Sequence, residues 1–481
     1  MRSSVDRGAT IVNELRAMPR LLIAGLSGGS GKTIVTMALL LRLRRAAVAV
    51  RAFKKGPDYI DPAWLSWASA HTVRNLDTYL MGAKAVRASF VKNGIRDGIN
   101  LIEGNRGLFD GFEAEGTHSS AVLAETLEAP ILLVINAAKM TRTAAALVLG
   151  CQKLDPRTAI RGVVLNNVSG ARHEQTLRSA IESVCGISVV GALPRLAGNL
   201  LPERHLGLVP PQEHGEMEQV EEKILGWAKD HLDLDTIISI AHSAPPLGAP
   251  ICGGAALENG RGTRIGYVQD AAFNFYYPEN LEELERAGAE LIRISALDAE
   301  RLPDNLHALY VGGGFPETHA RELSANSGFL ASLRQACVPG LPIYAECGGL
   351  MLLARSLAWN GAHYAMANVL PVDIATFNAP QGHGYATLRV DAANPFFAQG
   401  VELRGHEFHY SRIVSDAADL ATACAVSRGS GCTHGRDFLL TENVMAGYTH
   451  LHATATPEWA MGMMEAALRF ASKAVGALAE R

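Results

Sequence analysis

Short apolar runs at 21–24, 48–53, 99–102, 131–136, 162–166 and 189–193 read as buried strands. Between them, 34–45, 118–128, 141–153 and 171–184 carry helical spacing of apolar and polar positions. Strand and helix therefore alternate, which predicts an α/β domain with a doubly wound, mostly parallel sheet. Residues 215–241 read as one amphipathic helix or two. A Pro- and Gly-rich stretch over 243–262 then breaks the periodicity and reads as a linker. Strands resume at 264–268, 290–294 and 308–311, and an apolar run leads into Cys347, so a second α/β domain is expected. The predicted division is an extension over 1–20, a first domain over 21–242, the linker, and a second domain over 263–481.

Composition narrows this picture without changing it. At 481 residues the chain is too long for one core, and 48% hydrophobic with 19% charged residues fits a well-buried globular protein. A net charge of -4 supplies no electrostatic case for nucleic acid or an anionic membrane, so neither is expected as a partner. Seven cysteines without a Cys-x-x-Cys pair argue against a zinc site or a disulfide framework and favour a cytoplasmic location. No apolar run approaches the roughly 20 residues of a membrane span. The first 20 residues have mixed charge and no apolar signal-peptide segment, and Met18 is a second candidate start.

Candidate chemistry sits where strands end. After the 21–24 strand comes a turn with Gly25, Gly28, Gly29 and Gly31, then Lys32 and Thr33 at a helix start. That order suits a nucleoside triphosphate: glycine N–H groups surround phosphates, Lys32 adds positive charge, and Thr33 offers a hydroxyl to Mg²⁺. The first glycine stands one position earlier than the usual spacing, which would put it at Leu26. The second strand runs into Lys54, Asp58, Tyr59 and Asp61, and the third into Glu103 and Asp110. Acidic residues after two strands, beside a phosphate loop, point to metal and phosphoryl chemistry. The Asn166-Asn167 pair at another strand end is a candidate for reading an adenine edge, with a plain turn as the alternative.

In the second half, the strand before Cys347 and Gly348-Gly349 after it have the form of a nucleophile elbow, whose helix start is expected to favour a thiolate. The glycine run 312–314 is a candidate oxyanion-stabilising turn. A cysteine nucleophile needs a histidine base. His406, His409, His450 and His452 are the candidates, and spacing does not choose among them.

Taken together, these motifs resemble the cobyrinic acid a,c-diamide synthases, from about residue 21 to nearly the C-terminus. The specific segments are Phe53-Lys-Lys-Gly-Pro-Asp-Tyr-Ile-Asp-Pro62, 103–111, 270–280, 345–350 and 405–411. The displaced glycine of the loop is also that family's pattern, shared with dethiobiotin synthetase. The resemblance implies a dethiobiotin-synthetase-like P-loop domain that uses ATP and Mg²⁺ to phosphorylate a tetrapyrrole carboxylate. It also implies a class I, triad-type glutamine amidotransferase domain whose ammonia, passed inside the protein, converts the acyl phosphate to an amide. By position it implies Gly28, Gly29, Gly31, Lys32, Thr33 and Asn166 at the nucleotide, and Thr33, Asp58 and Glu103 at the metal. Lys54 and Asp61 would serve phosphoryl transfer, with Tyr59 and Asp110 toward the substrate. Cys347 would be the nucleophile, His450 its base, and Gly313 and Gly348 the oxyanion hole. The expected partners are the tetrapyrrole carboxylate, glutamine and ATP, and a homodimer is a candidate assembly.

Three departures matter. His452 occupies the place where many class I glutaminases carry an acid, so the orienting acid stays unassigned. Ala453 replaces an aromatic residue common there. Asn105-Arg106 stands where corrin enzymes often have Val-Met, and an arginine there resembles nickel-sirohydrochlorin a,c-diamide synthases. Cobyrinate, hydrogenobyrinate and nickel-sirohydrochlorin all remain open as substrates, as does the cobyric acid synthase sibling, although the 53–62 segment favours the a,c-diamide branch. A ParA/MinD-like switch ATPase is a distant alternative; it carries a signature lysine where this chain has Ser27.

Overall fold

The computed structural model describes residues 15–196, 198, 200, 203–204, 207–209, 211, 215–248, 262–415 and 420–479. Most of the expected extension, and 249–261 of the expected linker, lie outside the described residues. Two compact units divide the chain, Met1–Gly253 and Gly254–Arg481. Among the described residues no helix is long and apolar enough to cross a membrane.

The first unit is built on seven strands: β1 (Arg20–Gly25), β2 (Val50–Lys55), β3 (Arg74–Leu76), β4 (Ile99–Gly107), β5 (Ile131–Asn136), β6 (Ile160–Val168) and β7 (Val189–Pro194). Their order is β3-β2-β4-β1-β5-β6-β7, and every pairing is parallel. Leu21, Leu22, Ile23 and Ala24 of β1 are completely buried, because helices cover both faces of a parallel sheet. That is why the strand reads as an unbroken apolar run rather than an alternation.

Some boundaries differ from the apolar pattern. β4 continues beyond residue 102 through Glu103 to Gly107, past a register shift against β1 that pairs Gly25 with Gly107. Backbone pairing, not apolar side chains, carries that extension. β3 has only three residues, too few to show a period, and the helix Gly82–Asn93 after it is weakly amphipathic. The stretch 215–241 resolves into two helices, Met217–Ala228 and Leu234–His242. Asp233 caps the second by accepting from the Thr236 N–H at 3.0 Å.

In the second unit, five parallel strands lie in the order Ala289–Ile294, Thr263–Val268, Ala308–Val311, Ile343–Glu346 and Val444–Gly447. The sheet then turns antiparallel through Arg436–Thr441, Thr422–Arg428, Gly382–Val390, Glu402–His409 and His450–Leu451. A separate four-stranded sheet contains Ser356–Trp359, Ala362–Ala365, Asp373–Thr376 and Ser411–Ile413. The central strand Ile343–Glu346 is fully buried, between the strands that lead to the glycine turn and to the histidines.

Candidate active site

In the first unit the site forms at the carboxyl ends of β1, β2 and β4. Helix α1 (Lys32–Arg45) starts directly from the phosphate loop. Gly29 and Gly31 adopt left-handed φ values of 71° and 89°. At Gly31 a Cβ would lie 2.1 Å from the Asn166 Nδ2, so only glycine fits. Asn166 donates from that nitrogen to the Ser30 carbonyl at 3.1 Å, and its Oδ1 accepts from the Asn167 N–H at 2.9 Å. Its amide thus braces the loop from the end of β6, an engagement that spacing alone did not indicate. Lys32 folds back over the loop and donates to the Ser27 carbonyl at 3.1 Å. Burial, then the Lys54 charge, lowers its pKa.

Sheet register decides the centre of this site. Glu103 is the Cα partner of Ile23 on one side and of Lys54 on the other. The Lys54 ammonium, almost completely buried, donates to Glu103 Oε1 at 2.6 Å and to Asp61 Oδ2 at 2.5 Å, with Asp58 Oδ2 at 3.7 Å. Asp61 stands in the first turn of helix α2 (Ile60–Ser69), next to Tyr59, which is half-buried before it. The Asp58 Oδ1 accepts from the N–H groups of Ile60 at 2.9 Å and Asp61 at 3.1 Å. Buried Asn75 of β3 donates to the Gly56 and Asp58 carbonyls at 2.8 and 2.7 Å, which fixes the turn that presents these carboxylates.

Electrostatics separate the carboxylates. Burial opposes the Lys54 charge, but Asp61, Glu103 and Asp58 outweigh it and raise its pKa above the ordinary lysine value. Burial also opposes charge on Asp61, yet its pKa is lowered because Lys54 bonds it directly. Burial wins at Glu103, whose pKa is raised, and at Asp58, pushed up to about 7 with the Asp61 charge adding to the effect. Thr33 donates to Glu103 Oε1 at 3.0 Å, while Glu103 Oε2 is buried with no hydrogen-bond partner. Asp110 accepts from the Gly107 N–H at 2.8 Å and raises the Lys32 pKa slightly from the next turn. Gly28 is exposed, and a Cβ there would meet nothing within 4 Å.

In the second unit three neighbouring strand ends converge. Cys347 follows Ile343–Glu346 at φ 50° and ψ -97°, a conformation that non-glycine residues rarely adopt, and a short helix starts at Gly348. Its N–H donates to the Gly447 carbonyl at 2.7 Å, tying it to the strand that leads to His450. The glycine turn after Ala308–Val311 packs against both. At Gly313 a Cβ would lie 2.5 Å from His450 Cε1, and at Gly348 it would lie 3.3 Å from the Gly313 carbonyl carbon. The Gly348 N–H bonds toward the Cys347 sulfur. Cys347, Gly313, Gly348 and His450 therefore stand together.

The thiol does not behave as a helix start alone would suggest. Burial and the nearby Glu317, Glu346 and Glu407 carboxylates push the Cys347 pKa well above the ordinary thiol value, against the one favourable Gly348 N–H. A nucleophilic role for this thiol would require a base. Of the four histidine candidates, His450 is the one against the glycine turn. His406 stacks on it at 4.9 Å between centroids, and burial drives the His406 pKa well below the ordinary histidine value. His409 stacks on Tyr448 at 3.7 Å and shares its Nδ1 with the Ser411 carbonyl. His452 lies 3.6 Å from Glu279.

Two supporting residues were given no role by the sequence, although Asn280 closes the 270–280 segment. Buried Asp437 accepts from the N–H groups of Tyr448 and Thr449, both at 3.1 Å, and shapes the turn before His450. Buried Asn280 donates to the Leu451 carbonyl at 2.9 Å and accepts from the Ala453 N–H at 2.7 Å, clasping the segment after it.

Residues 21–209 match the CobQ/CobB/MinD/ParA nucleotide binding domain, and 264–458 match the CobB/CobQ-like glutamine amidotransferase domain. A cobyrinate a,c-diamide synthase of Magnetococcus marinus is 42% identical over 92% of this chain and 96% of its own length. The chain belongs to that family. Cobyrinate a,c-diamide synthases of Archaeoglobus fulgidus and Methanosarcina acetivorans are each 37% identical, over 90% and 95% of this chain and 94% and 97% of their own. Both domain matches lie in one chain, so this family member joins a nucleotide-binding unit to a glutamine amidotransferase unit.

Two measurements check the geometry. Lys54→Met leaves Glu103 buried without its counter-ion, which costs about 3–5 kcal/mol; hydrogen exchange of the β2 and β4 amides should rise accordingly, and wild-type protection would contradict the pairing. Alkylation of Cys347 by iodoacetamide, followed by mass spectrometry against pH, should have its midpoint above the ordinary thiol value of about 8.5. The sign follows from a raised pKa: the proton stays on until higher pH, and a midpoint below that value would mean a resting thiolate.

Proposed function

We propose that this chain amidates the a- and c-side-chain carboxylates of cobyrinic acid, using ATP and glutamine, in the cytoplasm. The observation that supports it most strongly is the near full-length similarity to cobyrinate a,c-diamide synthases in a chain that pairs the Lys54 carboxylate cluster with the Cys347 elbow. Six described cysteines are free thiols, as a reducing compartment would keep them.

In the first unit, the loop around Gly28, Gly29 and Gly31 with Lys32 cradles the triphosphate, and Asn166 holds the loop in shape. Thr33 and Glu103 suit Mg²⁺: the Glu103 Oε2 is buried and unbonded, and a hard ion takes one or two carboxylates with phosphate oxygens and water. Among the described residues no three acidic, imidazole or thiol groups are arranged to hold a metal ion by themselves, so Asp58 would contribute from outside that pair. The bound ion would neutralise charge on the phosphates. An oxygen of the substrate carboxylate attacks the γ-phosphorus, the bond to ADP breaks, and an acyl phosphate forms. Lys54, fixed by Asp61 and Glu103, offsets the charge on the transferring group. Asp58, whose pKa burial pushes up to about 7, can when protonated donate a hydrogen bond from its O–H to the incoming carboxylate, and Tyr59 and Asp110 serve the substrate side.

In the second unit, Cys347 passes its proton to His450 as sulfur bonds the side-chain carbonyl carbon of glutamine. The oxyanion is met by the Gly348 N–H and the Gly313 turn. Collapse releases ammonia, which takes the proton from His450, and water then frees glutamate from the thioester. Ammonia displaces phosphate from the acyl phosphate and leaves the amide.

The test is a panel of cobyrinate, hydrogenobyrinate and nickel-sirohydrochlorin with ATP and glutamine, in wild type and Cys347→Ala, read by mass spectrometry. Two amides on cobyrinate are expected; Arg106, exposed at the end of β4, makes nickel-sirohydrochlorin the competing substrate. Cys347→Ala should abolish glutamine-driven amidation and keep ammonia-driven amidation. Turnover of none of the three substrates, or loss of the ammonia reaction in a folded variant, would overturn the reading.

A further inference from the structure

The base His450 lacks the acid that many glutaminases of this class carry two residues later; His452 stands there. We propose that Glu346, the residue directly before the nucleophile, orients His450 and stabilises its protonated form. The inference rests on the assignment of Cys347 and His450 above.

Glu346 Oε2 lies 3.5 Å from His450 Nδ1 and also accepts from the Tyr310 hydroxyl at 3.1 Å. Its Oε1 accepts from the Tyr344 hydroxyl at 3.1 Å and from the Leu451 N–H at 3.0 Å. The carboxylate is completely buried, and these donors hold it in one orientation. Topology brings it there: Glu346 is the register partner of Gly447 on the strand that runs to His450. Neighbouring acids are engaged elsewhere. Glu279 faces His452 at 3.6 Å, Glu407 accepts from the Ser430 and Gly431 N–H groups, and Asp437 from Tyr448 and Thr449.

The imidazole is also oriented usefully. Its Nδ1 faces Glu346, while its Cε1–Nε2 edge faces the Gly313 turn. With a proton on Nδ1 directed at Glu346, Nε2 carries the lone pair that would take the Cys347 proton. The imidazolium that results is then beside a fixed negative charge. Glu346 is a positioning residue. The other titratable groups around the ring are His406, stacked on it, and His452 on the same segment, both buried.

The experiment compares wild type and Glu346→Gln in the full chain, measuring glutamine hydrolysis against pH. The kcat should fall about a hundredfold while KM for glutamine changes less than about twofold, as expected when an interaction specific to the transition state is lost. The base pKa in the kcat/KM profile should drop by about one unit, because the imidazolium loses its counter-charge. A lost packing contact alone would not move that pKa. In wild type, nitrogen NMR of His450 should report the Nδ1-protonated tautomer, a readout that holds even where the variant does not fold. A wild-type pH profile in Glu346→Gln, or an Nε2-protonated His450, would overturn the proposal. Wild type that hydrolyses no glutamine would instead overturn the functional reading, and the tautomer would still decide the Glu346–His450 contact.

Discussion

A lysine ammonium inside three carboxylates is the interaction on which the first unit's chemistry depends. Lys54 and Glu103 face each other because β2 and β4 run parallel in one register, and both side chains are out of water. Neither charge is tolerable alone at that depth. Their pairing holds the ends of two strands at fixed separation, with Thr33 of the phosphate loop bonded to the same carboxylate. Loop, lysine and acid therefore behave as one assembly. Asp61 shares the ammonium from the next helix, so the start of α2 is tied to the same point. An acceptor carboxylate and a triphosphate both carry negative charge, and under the proposed function the Lys54 cation would offset that charge.

The second unit handles an opposite problem. The Cys347 thiol has the Glu317, Glu346 and Glu407 carboxylates nearby, and burial with those charges pushes its pKa up. The reactivity proposed for it therefore rests on geometry. Three adjacent strand ends supply the sulfur, the glycine turn and the imidazole, and a Cβ at Gly313 would collide with the imidazole. A carboxylate placed one residue before the nucleophile is then well suited to hold the base, since the sheet already fixes its backbone.

Much of the architecture was legible in the chain because strands buried on both faces are continuously apolar and the helices between them are amphipathic. Where that physics failed, the reading failed. The strands between 356 and 441 are mostly antiparallel and mixed in polarity, so they show neither a sustained apolar run nor a clean alternation. Three-residue β3 has no period to detect, and β4 outlasts its apolar run because backbone pairing carries it on. Asn166 shows the same limit at the site: a strand-end asparagine predicts a polar contact, but not that its partner is the loop carbonyl of Ser30.

By itself the sequence determined the two α/β units, the phosphate loop, the acids at strand ends and the cysteine elbow, because each depends on local periodicity or on a short motif. It also placed Gly31 next to Lys32 and Gly348 next to Cys347, where backbone approach requires glycine. Only the tertiary structure decided which charges neutralise one another, which of four histidines meets the glycine turn, and that burial pushes the thiol pKa up. Those properties depend on strand register and burial, which join residues as distant as Lys54 and Glu103, or Glu346 and His450. Spacing along a chain carries no record of either.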